Sequence, residues 1–357
     1  MNKEPNVLLS ARVYDRQVGG NTRYVHNVYS RIEQHGVGFQ LARPANTSGS
    51  GKLRSAQYAA LEGIGWPLVP RPDATVLHFP ADTGAVARGR LPIVGTIHGL
   101  ATLHVSGVRG SASDALWRAR VRRLARVSDQ IITVSESSAS DIAYFEPSAA
   151  NRITVIHHGI DHDRFNPVPV DDWEQVRARL NLPAQFFFYA GNLDPRKNIV
   201  ALCAAAQEVH AATAIPLVVS GSPAWDSADS LQAVEHTPGV IYLGRTSDTE
   251  MISLMQNALA FCFPSLYEGF GFPVLEAMAC GAPVICSDRG SLREVAGDAC
   301  LMISDVSATG IAEAMTELVA DPRERESLTR RGLDHAANFR WQVSAEEHAR
   351  VFKEVSN

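Results

Sequence analysis

Apolar residues in this chain come mostly in short unbroken runs, separated by stretches with helical spacing. Asn6-Val7-Leu8-Leu9, Thr75 to Phe79, Ile93 to His98, Gln130 to Ser135 and Arg152 to Ile156 read as strands. Runs of this kind suit strands of a parallel sheet, which are covered on both faces and so need no polar alternation. Asn166-Pro167-Val168-Pro169-Val170 breaks the pattern with two prolines and reads as a linker. The alternation then restarts with Phe186 to Ala190, Leu217 to Gly221, Val240 to Gly244, Ala258 to Phe263 and Pro283 to Cys286. Strands alternating with helices in both halves predict an α/β chain of two doubly wound, Rossmann-like parallel-sheet domains facing a cleft. Tyr24 to Ile32 carries a helical pattern, and Glu313 to Phe352 is helical with breaks near Asp321-Pro322 and Phe339-Arg340-Trp341. Ser48 to Lys52 is small and polar and reads as a mobile loop.

A length of 357 residues agrees with two cores rather than one. Lys and Arg number 33 against 38 Asp and Glu, so the net charge of −5 argues against wholesale nucleic-acid binding. Five cysteines, odd in number and without CxxC spacing, read as small core residues in a reducing compartment. The first apolar run is far too short for a signal peptide, and no later run is long enough to span a bilayer. A cytoplasmic protein is expected.

The stretch with most chemistry is Pro264 to Pro283, PSLYEGFGFPVLEAMACGAP. It leads from an apolar run through a loop containing Gly269 and Gly271 into a helical segment with Pro273 near its start, where a missing N–H costs nothing. Free N–H groups at such a loop and helix start suit an anion, with Glu268 close to it and Glu276 about two turns further on. A plain strand-loop-helix corner is the competing reading. Gly19-Gly20, between the first strand and a helix, suits close backbone approach to a phosphate or sugar, and Arg23 can add charge there or sit on a solvated turn. The absence of GxGxxG and of an acid for a nicotinamide ribose disfavours a dehydrogenase. His98 sits at a strand's carboxyl end, where open sheets build their sites. Arg196-Lys197 follows the aromatic strand, a planar fork beside a point charge, as a diphosphate needs. On a helical wheel, Trp117, Val121, Leu124 and Ala125 share a side, and Arg118, Arg122, Arg123 and Arg126 take the other. That face reads as a surface helix with snorkelling arginines, or as a peripheral contact for an anionic membrane.

Taken together, GGNTRY, TIHG, VSESSASDI, HHGIDHDRF, AGNLDPRKN, YLGRTSD, the E-x7-E pair Glu268/Glu276 and SLREVAGDA resemble the retaining glycosyltransferases of the GT-B fold, family 4 (group 1). LDPRKN is most similar to the mannosyltransferase-like branch that builds bacterial surface polysaccharides. The resemblance implies an acceptor-binding domain at 1–165, a nucleotide-sugar-binding domain at 166–335, and a helix at 336–357 packing back on the first. It also implies roles. Arg196 and Lys197 would hold the donor diphosphate, and Glu276 the ribose. Glu268 and the amides of Gly269, Phe270, Gly271 and Phe272 would hold donor sugar and phosphate, Gly19 and Gly20 would approach the phosphate, and His98 would touch the transferred sugar. Neither cofactor nor metal is implied, and Asp161-His162-Asp163 lies where the family has an interdomain turn. The donor would be GDP-mannose or a UDP-hexose, and the acceptor a sugar, a lipid-linked glycan or a small molecule. Three positions depart from the family: Asn192 stands where many relatives have arginine, Gly99 replaces an acid, and His158 replaces asparagine. The rivals are a sugar-nucleotide hydrolase or epimerase on the same fold and a non-catalytic sugar-nucleotide binder.

Overall fold

A computed structural model describes residues 4–16, 19–44, 51–66, 73–105 and 110–356. The chain forms two compact units. The first takes in 1–103, 109–159 and 340–357, and the second 104–108 and 160–339.

Six parallel strands make the first unit's sheet: β1 (Asn6–Ser10), β2 (Gly38–Ala42), β3 (Val76–Phe79), β4 (Ile93–Thr96), β5 (Gln130–Thr133) and β6 (Ile153–Val155). Their order is β2-β1-β3-β4-β5-β6, with Leu8 opposite Leu77 and Gly95 opposite Ile131. β1, β3, β4 and β5 are buried almost throughout, as their unbroken apolar runs require. β2 is an edge strand that the run pattern does not reveal, because Gln40 stays exposed and its neighbours are half-covered.

A short helix, Ala11–Tyr14, follows β1 directly, and the longer one after it starts at Gly20, four residues ahead of its apolar pattern, and ends at Tyr29. Gly19 caps it at φ 108°, a left-handed backbone setting that side chains resist. The loop expected at Ser48 to Lys52 ends sooner than its composition suggests: a helix begins at Gly51 and runs to Ala60, while 48–50 lie outside the described residues. The closing helix Trp341–Ser356 buries Trp341, Ala345, His348, Ala349 and Phe352 along one stripe, and it packs on the helix Gly20–Tyr29. Gly159 lies hard against its start. A Cβ there would come within 2.1 Å of the Trp341 backbone nitrogen.

The second unit repeats the scheme with β7 (Phe187–Ala190), β8 (Leu217–Ser220), β9 (Val240–Tyr242), β10 (Ala260–Phe263), β11 (Val284–Ser287) and β12 (Leu301–Ile303). All pairs are parallel, in the order β12-β11-β10-β7-β8-β9. The direction of winding reverses between β7 and β10, and a crevice opens outside the carboxyl ends of strands at such a point. β12 is a second edge strand that the runs do not reveal. Asn166 to Val170, the expected linker, is fastened inside this unit by Gln256, whose Nε2 donates to the Asn166 and Val168 carbonyls. All five cysteines are buried and unbridged.

Candidate active site

In the second unit the chain leaves β7 through Gly191, and the Tyr189 hydroxyl donates to the Asn192 carbonyl at 2.9 Å. Asn192 itself is exposed. Pro195–Lys197 forms one tight turn, and Asn198, at φ 59°, passes the chain into the helix Ile199–Thr213. On the neighbouring strand, β10 runs out into Ser265 to Glu268, and Leu266 N–H donates to the Arg196 carbonyl at 2.8 Å. The two loops flanking the switch point are thus tied to each other.

That tie brings three charged side chains together. The Lys197 ammonium donates to Glu268 Oε1 at 2.5 Å, and Arg196 Nη1 donates to Oε2 at 3.3 Å. Arg196 Nε also faces Asp194 Oδ1 at 3.4 Å, and Asp194 is itself buried. Burial pushes the Glu268 carboxyl upward, but Lys197 and Arg196 outweigh it and hold the group below the usual carboxylate range. Glu268 raises Arg196 above its ordinary value, while burial lowers Lys197. Lys197 also sits over the Phe263 ring, 4.7 Å from its centroid. The ammonium is nearly closed off, with 9 % of its side chain exposed against 24 % for Arg196. The guanidinium fork is therefore the part an anion reaches directly, and Lys197 acts mostly through field and position.

Gly271, at φ 98°, caps the helix Phe272–Ala279, with Pro273 in its first turn as the sequence suggests. A Cβ on Gly271 would meet Leu292 at 2.6 Å. Phe270 and Phe272 touch edge to face, 5.1 Å between centroids. Glu276 is buried one turn in, among Val274, Leu275, Ala277 and Met278. Two site residues escaped the sequence reading. Asp194 stands two positions before Arg196, a spacing that pointed to it. Gly290 presses on Glu268, where a Cβ would lie 2.5 Å from the Glu268 carbonyl oxygen, and no local signal marks it.

In the first unit the structure brings His98 to the helix that Gly19 caps and Gly20 opens: the His98 and Tyr24 rings lie edge to face at 5.0 Å. His98 lies two residues beyond β4, half-buried. Its backbone N–H donates to Asp82 Oδ1 at 2.8 Å, and its Nε2 donates to the Pro80 carbonyl at 3.2 Å. Burial lowers its pKa against the pull of Asp82 and of that carbonyl, so the ring is neutral near pH 7. Behind it runs a buried chain of hydrogen bonds. Ser344 O accepts from His348 Nδ1, so His348 Nε2 must accept from the Tyr24 hydroxyl, 2.9 Å away. Thr96 then donates to Tyr24, His78 Nε2 to Thr96, and Tyr29 to His78 Nδ1. The chain is satisfied from end to end with every group neutral.

The arginine face of Ser111–Val127 is occupied within its own unit. Arg122 and Arg126 turn to the buried Glu146, Arg118 to Asp114, and Arg123 to the Val86 carbonyl. Asp161-His162-Asp163 forms a turn in which His162 Nε2 donates to the Phe339 carbonyl at 3.1 Å.

Residues 18–164 match the family described as Glycosyltransferase Family 4, and 172–335 match Glycosyl transferases group 1. The chain belongs to these glycosyltransferases. An O-antigen chain mannosyltransferase B of Escherichia coli is 33 % identical over 62 % of this chain and 60 % of that relative. A D-inositol 3-phosphate glycosyltransferase of Stackebrandtia nassauensis is 30 % identical over 62 % of this chain and 53 % of its own length. The matched part thus spans between about half and three fifths of these curated relatives. Anabaena Alr3699/HepE, solved with UDP and glucose, superposes with a TM-score of 0.75 over 99 % of this chain and 100 % of that one, at 16 % identity. The fold of this chain is GT-B. Among its described residues no helix is long and apolar enough to cross a membrane.

Proposed function

We propose that this chain is a retaining hexosyltransferase that moves a hexose, mannose favoured, from a nucleotide diphosphate sugar, GDP-mannose ahead of UDP-hexoses, to a hydroxyl acceptor in glycan or polysaccharide synthesis. The observation that carries the reading is the Arg196–Glu268–Lys197 cluster at the β7/β10 switch point, beside the helix start at Gly271. The similarity to an O-antigen chain mannosyltransferase supports mannose.

Charge grows on the diphosphate as its bond to the sugar breaks. The Arg196 fork meets that charge, Lys197 adds its field, and the amides of Gly269 to Phe272 complete the cradle. This needs no metal. Glu268 locks both cations in place before the donor arrives, and its spare lone pairs remain for sugar hydroxyls. Glu276 takes the nucleotide ribose. The acceptor hydroxyl attacks from the side the diphosphate leaves, and a phosphate oxygen takes its proton, so configuration is retained without a covalent intermediate.

A donor screen by mass spectrometry, with nucleotide release as readout, tests the reading. GDP-mannose should be consumed in proportion to acceptor. Consumption at the same rate without any acceptor would make the protein a hydrolase or epimerase. Lys197→Ala should lower turnover at least roughly 10²-fold, the scale for losing a positioned charge at the transition state. Glu276→Ala should weaken calorimetric binding of free nucleotide, and unchanged affinity would remove it from the ribose.

A further inference from the structure

Asp194 settles the charge of the Arg196–Glu268–Lys197 cluster. It is 2 % exposed, and its Oδ1 faces Arg196 Nε at 3.4 Å, while Glu268 accepts from Arg196 Nη1 and from the Lys197 ammonium. Two cations therefore meet two buried carboxylates, and the cluster carries no net charge. Its neighbours do not alter that balance. The Tyr189 hydroxyl donates to the Asn192 carbonyl, and burial keeps it protonated. In the loop after β11, Asp288 is matched by Arg289 and Arg293 and accepts from the Ser304 hydroxyl. One imidazole adjoins the cluster: the exposed His104 stacks on Tyr267, the residue before Glu268, with ring centroids 4.6 Å apart.

A sugar nucleotide brings a negative charge on each phosphate of its diphosphate. A site with surplus cations would take that charge as it stands. This one would hold the diphosphate, Asp194 and Glu268 against only two cations, in surroundings that admit little water. Like charges at such range in a low-dielectric site do not all stay ionised. A phosphate diester is too weak a base to give way, so a carboxylate must. Glu268 is the one whose two oxygens rest on both cations. Those cations alone hold it ionised against burial, which pushes the other way. Sharing them with a diphosphate hands the decision to burial.

We propose that donor binding takes up one proton, which passes from solvent to Glu268 as the diphosphate comes to share Arg196 and Lys197, and that Asp194 makes the uptake necessary. That the anion is a sugar nucleotide rests on the transferase reading. Glu268 Oε1 keeps its bond from Lys197, while Oε2, given up by Arg196, carries the proton and donates toward the donor. A neutral Glu268 then supports the departing diphosphate with a hydrogen bond instead of opposing it with charge. Product release returns the proton to water.

Calorimetric titration of GDP-mannose and of UDP-glucose into the full chain, in buffers of different ionisation enthalpy, counts the protons taken up. The free Glu268 titrates below the usual carboxylate range and the donor-bound one above it, so uptake belongs to the interval between. It should approach one proton near about pH 5.5 and fade as pH rises through the bound value, with affinity falling by up to about tenfold per pH unit, the limit for one proton. Difference infrared spectra of the same complex should gain a protonated-carboxyl band, which no imidazole can supply.

Asp194→Asn can still accept from Arg196 but leaves the cluster one positive charge ahead. It should bind the donor about tenfold tighter near about pH 8 and flatten the pH dependence. An Asp194 that merely held Arg196 in place would instead weaken binding alike at every pH when replaced. His104→Phe, which keeps an aromatic ring on Tyr267, should leave the uptake unchanged. Binding without uptake, uptake without the carboxyl band, or uptake abolished by His104→Phe would overturn the coupling and leave the transferase reading in place. Failure of both sugar nucleotides to bind would end both.

Discussion

Glu268 stays ionised with almost no water around it because two cations are fixed within hydrogen-bond reach. Replacing it with glutamine would leave Lys197 buried without its counter-charge. Glu268→Gln should therefore cost roughly 3–5 kcal/mol of stability, measured by chemical denaturation, and Glu268→Gln/Lys197→Met should cost less than the single change. The pH dependence follows from the sign of the shift. The folded-state pKa of Glu268 lies below the unfolded one, so its contribution is complete above the ordinary carboxylate range. It disappears as pH falls through the folded value. A glutamine variant that lost as much stability in acid as the parent would contradict the assignment. Nothing near Glu268 in the chain announces this partnership. Its partner stands some seventy positions earlier, and only the adjacency of β7 and β10, strands far apart in sequence, makes them neighbours.

Among elements, the closing helix Trp341–Ser356 sets the position of the helix that starts at Gly20, through His348 and Tyr24. Burial holds His348 down at about 4, with His98 adding to the effect and Ser344 and Glu347 opposing it, and burial also lowers His78 and His158. Folded values below unfolded ones mean that the unfolded chain takes up more protons between about 6.5 and 4, and stability falls across that window. Denaturation midpoints at pH 7.5 and pH 5 should show that loss, and it should shrink in His348→Gln, whose amide oxygen can still accept from Tyr24. Gly159→Ala should lower the melting temperature by forcing the start of this helix away from β6. A Cβ has no room there. The central strands were legible because burial on both faces leaves an unbroken apolar run, as in Phe186 to Ala190. The edges were not. Gly38–Ala42 is interrupted by the exposed Gln40, and Leu301–Ile303, though apolar, is a strand of only three residues that stays partly exposed. Arg196 and Lys197 were visible as a pair after a strand.

On the scale of the molecule, the first unit is discontinuous: the whole of 160–339 intervenes between its body and its last helix. Ending the chain after Phe339 should leave the second unit folded and loosen the first. Hydrogen exchange read by mass spectrometry should show amides of Gly20–Tyr29 losing protection while those of Phe272–Ala279 keep theirs. Equal loss in both would mean that the units do not melt separately. The same discontinuity governs the order of events on the ribosome. At about 20 residues per second, residues 160–339 take on the order of ten seconds to emerge. Throughout that time the nascent first unit has every strand of its sheet but lacks its closing helix. The faces of Tyr24 and Tyr29 that His348 and Phe352 of this helix will cover must wait uncovered. The later-made unit is therefore complete first, and the earlier one carries an unfinished apolar surface until its last helix emerges.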